Sequence, residues 1–385
     1  MDAKSGAQEK LKTIQQDILA LSHRIHAHPE LGFEEEKACG WLADSLDGAG
    51  FQVQRGVAGL ETAFIAKAGH GPLHIGICAE YDSLPEIGHA CGHNMIAAMA
   101  VGAAIAAAKV ADDAGLTISV FGTPAEEVGN ASGKVLMLER NAFDGVHAAM
   151  MVHPAPFEML EAHLIAASMF DVHYTGKEAH ASAFPELGIN AADALTVAQT
   201  AIGLLRQHIR QTDRVHGITT HGGDAPNVVP AHTSARYLVR AENLAELGDV
   251  RAKVYRCFEA GAIATGAKLE IRGGDKPYAD VRYDHEISLL YKKNAEALGR
   301  AFPDLGIIAQ RLAASTDMGN VSHAIPSIHP MIGINSMPAS NHQPEFTAHC
   351  VKAEADKAVL DGSLAMAWTA IDIAQTPALR ARLTA

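Results

Sequence analysis

Between residues 61 and 152 short apolar runs alternate with helical stretches, and each run stops at a polar cluster. Residues 61–67, residues 73–79, LTISVF (116–121) and VHAAMMV (146–152) have strand character, while 92–109 and 131–140 have helical character. That alternation predicts an α/β fold with a largely parallel sheet. Ligands of open α/β sheets bind beyond the carboxyl ends of the strands. Here those ends carry Glu80 and Asp82, then His89, Cys91, His93 and Asn94, then Glu126 and Glu127, then His153. Topology therefore predicts that residues distant in the chain share one edge.

Ahead of this region Leu11, Ile14, Ile18, Leu21 and Ile25 step by three and four, an amphipathic helix. A second helix is expected after Phe33. Near residue 167 the texture changes. MFDVHYTG alternates like a strand, 189–210 form a long helix, and strands at 214–221 and 233–241, a helix at 244–264 and the strand KLEIRG (268–273) follow. This β-α-β-β-α-β order is ferredoxin-like. It predicts a second domain, 167–278, inserted into a first one made of 1–166 and 279–385.

Composition narrows the function classes. Apolar residues are 48% and charged residues 19% of 385, which supports a large core and excludes a disordered chain. Lys+Arg total 31 against Asp+Glu 44, a formal charge of −13, opposite to what neutralising phosphates requires, so no nucleic-acid partner is expected. Five widely spaced cysteines are not a disulfide framework. No secretory signal is expected ahead of the first helix. The apolar stretch from Met95 to Val110 falls short of the ~20 residues of a membrane span. A cytoplasmic protein with no membrane partner is the expectation. The chain holds 21 histidines, the commonest metal ligand and proton carrier near neutral pH.

Taken singly, the clusters are ambiguous. Cys91 and His93 flank Gly92 at the start of a helix, where a thiolate is favoured, yet a buried cysteine beside a surface histidine reads the same way. Glu126 and Glu127 could be a solvated pair, or one could bind metal while the other takes a proton. Together, cysteine, histidine and carboxylate suit zinc, manganese or cobalt better than calcium. No G-x-S-x-G elbow occurs, which argues against a serine hydrolase. Cys91 with His93 is a poor nucleophile–base pair, because such partners come from distant segments.

The segments AEYDSLPEIGHACGHN, GTPAEE, MMVHP, GKEAHASAFPELGINAADAL, APNVVP, STDMGNVS and SNHQPEF, taken in order, resemble the M20 family of metallopeptidases and amidohydrolases. The likeness is to its aminoacylase/carboxypeptidase-like D branch, with wording most similar to β-alanyl-lysine dipeptidase-like and aminobenzoyl-glutamate hydrolase-like proteins. It implies a zinc-exopeptidase-like catalytic domain with a mixed, mostly parallel sheet, plus an inserted ferredoxin-like lid and dimerisation domain. It implies two divalent ions per chain, zinc or manganese. Cys91 would bridge them, His93 and His153 would complete one shell, and Glu127 and His342 the other. Glu126 resembles the general base for a metal-activated water. His180 resembles a histidine that reaches the neighbouring subunit's site in a homodimer, and Asn227 and Arg240 resemble substrate-binding groups. The implied substrate is an N-acyl amino acid or dipeptide. The alternative is a metal-binding subunit of a hetero-oligomeric amidohydrolase, inactive alone. Where many members have His-x-Asp, this chain has Glu80-Tyr81-Asp82, which leaves Asp82 an orienting role; Asn94 replaces a common Asp. Thr316-Asp317-Met318 stands where Glu-Asp-Phe is usual, and Asp317 is expected near the site.

Overall fold

The computed structural model describes residues 2–306 and 313–385. In chain order the strands are β1 (Gln52–Arg55), β2 (Phe64–Ala68), β3 (Leu73–Ala79), β4 (Leu116–Gly122), β5 (Ala148–Met150), β6 (His153–Ala155), β7 (Ala166–Thr175), β8 (Arg214–His221), β9 (His232–Ala241), β10 (Lys268–Gly273), β11 (Ser327–Ile328) and β12 (Met331–Gly333). They fall into two compact units. One comprises Met1–Val128, Ser132–His163 and Val281–Ala385; the other Gly129–Ala131 and Leu164–Asp280. Each has its own apolar core.

In the first unit six strands are ordered β1-β2-β4-β3-β5-β11. β3 runs parallel to β4 and β5, and β5 parallel to β11; β2 pairs antiparallel with both β1 and β4. Every residue of β4 is buried, the pattern of a strand covered on both faces. The helix His93–Ala108 is buried along almost its whole length and packs between helices Ala3–His26 and Ala353–Gln375. Alanine and glycine make this possible: a Cβ on Gly102 would lie 2.5 Å from Ser363 Oγ. β12 and β6 form a separate parallel pair.

The second unit is a four-stranded antiparallel sheet, ordered β10-β7-β9-β8. Helices Ala191–Leu205 and Leu244–Thr265 bury Phe170, Val172, Tyr174, Ala235, Tyr237 and Val239 from one face. Connection order and strand order are those of the ferredoxin-like arrangement anticipated from the alternation. The segment enters and leaves through one pair of hydrogen bonds, Ala167 N–H to Tyr278 O at 3.0 Å and the reverse at 2.8 Å.

Candidate metal centre and active site

Five chain segments in the first unit bring the polar clusters together. β3 ends at Ala79, so Glu80 and Asp82 follow at its carboxyl end, both fully buried. Gly92 caps the next helix with φ +79°, and His93 is the first helical residue. A side chain at 92 would meet Pro154 Cγ at 2.4 Å, so glycine is required both by φ and by space. β4 ends at Gly122, and the chain turns through Ala125 at φ +60° before a short 3₁₀ turn, Glu126–Val128. His153 opens β6. His342 sits in the loop before Pro344–His349, in the left-handed region at φ +67°, its N–H bonded to Ala90 O at 2.8 Å.

Two candidate ligand triads result. Cys91, His93 and His153 form one; Cys91, Glu127 and His342 form the other; in each, the donor atoms lie within 4.8 Å of one another. A third group, Glu80, His93 and Glu126, overlaps them. Cys91 Sγ is 3.4 Å from His153 Nε2, and His342 Nε2 is 3.4 Å from Glu127 Oε1. His93 Nε2 is 3.8 Å from Glu127 Oε1, 3.9 Å from Glu126 Oε2 and 3.4 Å from Glu80 Oε2. Three buried atoms that face this space, His93 Nε2, Glu127 Oε1 and Glu80 Oε2, have no hydrogen-bond partner. Buried polar atoms are rarely left so. Sulfur, nitrogen and oxygen donors around one point are what a borderline divalent cation takes, so the residues fit such an ion.

Asp82 ties the triads together. Its Oδ1 is 2.9 Å from His93 Nδ1, and its Oδ2 accepts the Glu127 N–H at 2.8 Å. The first contact leaves Nε2 as the ring nitrogen for coordination. Charge explains the proton affinities. Burial alone would raise the Cys91 thiol, but the His153 charge and the polar contact of His153, His342 and His93 hold it well below the ordinary thiol value. The close polar contacts with Cys91 and Glu127 push His342 up to about 11. Burial, then the charges of Glu80, Glu127 and Asp317, raises Glu126 well above the usual carboxylate range.

Two residues that the sequence did not single out support the site. Lys134 is fully buried, its Nζ 2.5 Å from Glu80 Oε1 and 2.6 Å from Asp317 Oδ1, while its own N–H bonds Asp317 Oδ2 at 3.1 Å. Burial would raise Glu80; Lys134 above all pulls its carboxyl below the usual range. The signal was a lone lysine in the apolar helix GKVLMLE. Glu35 is also buried and accepts the Ala125 N–H at 2.7 Å, bracing the turn before Glu126; burial and then Asp82 push it up to about 7. Nothing in the run EEEK distinguished it from a solvated stretch. Two further histidines lie close by. His329 packs its ring 5.6 Å from His153, and His89 is buried with neither ring nitrogen bonded.

The remaining expected residues lie in the second unit. Ala181 N–H bonds Asn227 O at 3.0 Å, and His180 forms a bridge with Val228, so the His180 and Asn227 segments are neighbours. His180 Nδ1 accepts the Ala183 N–H at 3.2 Å, which leaves Nε2 to carry the ring proton. Arg240 is on β9, paired with Ala167 and Arg214.

Residues 77–358 match peptidase family M20/M25/M40. The chain belongs to this family. An Xaa-Arg dipeptidase of Mus musculus is 36% identical over 98% of this chain and 90% of its own length. One of the subunits of the p-aminobenzoyl-glutamate hydrolase of Escherichia coli K12 is 36% identical over 66% of this chain and 56% of its own. Two solved structures share the fold. An aminobenzoyl-glutamate utilization protein of Klebsiella pneumoniae has a TM-score of 0.72 at 20% identity, covering 94% of this chain and 97% of its own. A Bacillus subtilis M20 peptidase described as dinuclear and metal-binding has a TM-score of 0.67 at 21%, covering 95% and 99%. M20 membership makes the chain a peptidase-type hydrolase of amide bonds. Among the described residues no helix is long and apolar enough to cross a membrane.

Proposed function

We propose that this M20 protein is a binuclear, metal-dependent amidohydrolase or dipeptidase in which Glu126 is the general base. The observation that carries the reading is the pair of ligand triads sharing Cys91 beside Glu126. Cys91, His93 and His153 would hold one zinc or manganese ion, and Cys91, Glu127 and His342 the other. His93 has one nitrogen to give, since Asp82 takes the second, and Glu80 already has Lys134 as its counter-charge. That favours the two Cys91 triads over the Glu80 group. When bound, such ions polarise a carbonyl and acidify water.

The chain's own residues do the rest. Glu126 would take a proton from the attacking water and return it to the leaving amine. His180, with Nε2 as the donor, supplies an N–H for the developing oxyanion. Arg240 and Asn227 bind the carboxylate of the leaving amino acid, for which a guanidinium fork is suited. The ferredoxin-like unit serves as lid and dimerisation domain. β8 is an open edge with Ile218 66% exposed, and open edges pair unless covered. Five free cysteines fit a reducing cytoplasm.

For the substrate, the dipeptidase relative that spans most of this chain supports dipeptides with a basic carboxyl-terminal residue ahead of other N-acyl amino acids. A formal charge of −13 favours encounter with a cationic substrate. The experiment is a hydrolysis panel of Xaa-Arg and Xaa-Lys dipeptides, β-alanyl dipeptides, acetyl amino acids and aminobenzoyl-glutamate, run with zinc, manganese or cobalt restored to the purified chain. Hydrolysis by the chain alone is expected. Inactivity on the whole panel would favour the second reading, a chain needing a different partner. The Escherichia coli relative, itself one subunit of a hydrolase, supports that reading.

A further inference from the structure

We propose that His173, His221 and His232 form a separate transition-metal site on the outer face of the four-stranded sheet, suited to Zn²⁺ or another borderline divalent cation. Strand register puts them there. β7 and β9 bury Val172, Tyr174, Ala235 and Tyr237 on the helix-covered face, so His173 and Ser234, which pair across the strands, point the other way. His232, two residues before Ser234 on the same strand, shares that outer face.

β8 reaches it through an irregularity. Thr219 pairs with Ala235 on the inner side, and regular alternation would place Thr220 outward and His221 inward. The ladder slips instead, and His221 becomes the partner of Ser234. Thr220 and His221 both oppose one residue, which is a β-bulge, a device that re-aims side chains. Thr220 Oγ1 meets Ser234 Oγ at 2.7 Å, and His221 is carried onto the face with the other two histidines.

The rings then stack in a row. His173 and His232 are 5.6 Å apart at 21°, His221 and His232 5.3 Å apart at 26°. His173 Nδ1 lies 3.3 Å from His232 Nε2. Two nitrogens bound tetrahedrally to one zinc at about 2.0–2.1 Å stand about 3.3 Å apart, so the pair has the spacing of a chelate, and a turn of the rings exchanges their hydrogen bond for two bonds to one ion. His221 supplies the third nitrogen by turning its ring, a movement open to a side chain that is 36% exposed. Asp224 Oδ1, 3.7 Å from His221 Nε2, stands ready as a fourth ligand or as the carboxylate that orients that ring.

The site is independent of Cys91, and the test separates the two. Chelator-stripped protein is dialysed against Zn²⁺, and in parallel against Co²⁺, for the native chain, His173→Gln/His232→Gln and Cys91→Ala. The double variant is expected to bind one ion fewer per chain and to keep the thiolate-to-cobalt absorption of the Cys91 centre. Cys91→Ala is expected to lose that absorption and keep the histidine-bound ion. Equal ion counts in the native and double-variant chains overturn the proposal, whatever happens at Cys91. If the double variant does not fold, as judged by circular dichroism, His221→Gln decides. A tenfold or greater loss in affinity for one Zn²⁺ supports the site, and unchanged affinity overturns it.

Discussion

His93 Nδ1 lies 2.9 Å from Asp82 Oδ1, both residues fully out of solvent. Because the other Asp82 oxygen holds the Glu127 N–H, one carboxylate orients a residue of each triad. Asp82→Ala is expected to weaken metal retention by about 10–100-fold, the usual loss when an orienting partner is removed. Asp82→Asn retains one acceptor and should fall between. Competition with a chromophoric chelator measures this; native affinity in Asp82→Ala would show that the ligands orient themselves.

Glu126→Gln keeps size and burial and removes the basic oxygen. We expect the metals to stay and the turnover rate to drop by about 10²–10⁴-fold. Metal analysis run beside the kinetics gives the decisive comparison. Loss of metal in this variant would exchange the roles of Glu126 and Glu127.

Lys134→Met removes the buried ammonium that Glu80 and Asp317 share. Removing one partner of a buried ion pair costs about 3–5 kcal/mol, and chemical denaturation should show a loss of that order. A loss below about 1 kcal/mol would mean that water or another cation reaches the two carboxylates.

The dimer proposal predicts complementation. Glu126→Gln and His180→Ala chains, each inactive, should regain partial activity when unfolded together and reassembled, since one site of the mixed dimer has both residues intact. Subunit exchange seen by native mass spectrometry without recovered activity would place His180 in its own chain's chemistry or in none.

Acid stability should depend on His74. Its Nε2 is 2.7 Å from Ser119 Oγ, and burial, then Lys67, lowers its pKa from 6.5 to about 4. The unfolded chain takes up a proton near pH 6.5 that the folded chain refuses until about pH 4. The stability held above pH 6.5 is therefore lost as pH falls towards 4. Allowing for screening at a partly exposed ring, the contribution is about 1–2 kcal/mol. His74→Gln should flatten the fall of the urea midpoint between these pH values. An unchanged slope would assign the acid sensitivity to other groups.

What the sequence disclosed followed from periodicity. β3, the helix His93–Ala108 and all four strands of the second unit lie where apolar runs or strict alternation place them. β1 escaped notice because QVQR is a mostly exposed edge strand with a single apolar residue. The strand expected at 61–67 begins at Phe64, because Ala63 closes a turn on Leu60 O. At the site, Cys91, His93, Glu126, Glu127 and His153 were legible because each follows a strand. His342 was legible only through resemblance, since it sits on a loop distant in sequence from the rest. Lys134 and Glu35 were invisible because their meaning depends on burial. A lysine beside valine or a glutamate in an acidic run has no pattern until its partners at 80, 317 and 125 are in place.

The paired backbone bonds between Ala167 and Tyr278 carry a consequence for biosynthesis. Translation completes the ferredoxin-like segment by Asp280, while the larger sheet still lacks β11 and the long amino-terminal helix still lacks its neighbour at Ala353–Gln375. On the ribosome the later-starting piece is thus finished first, and the earlier one must wait for the last turns of the chain. Any stall or truncation after residue 280 would release a closed insert attached to an unclosed, apolar scaffold, the species a chaperone would have to hold.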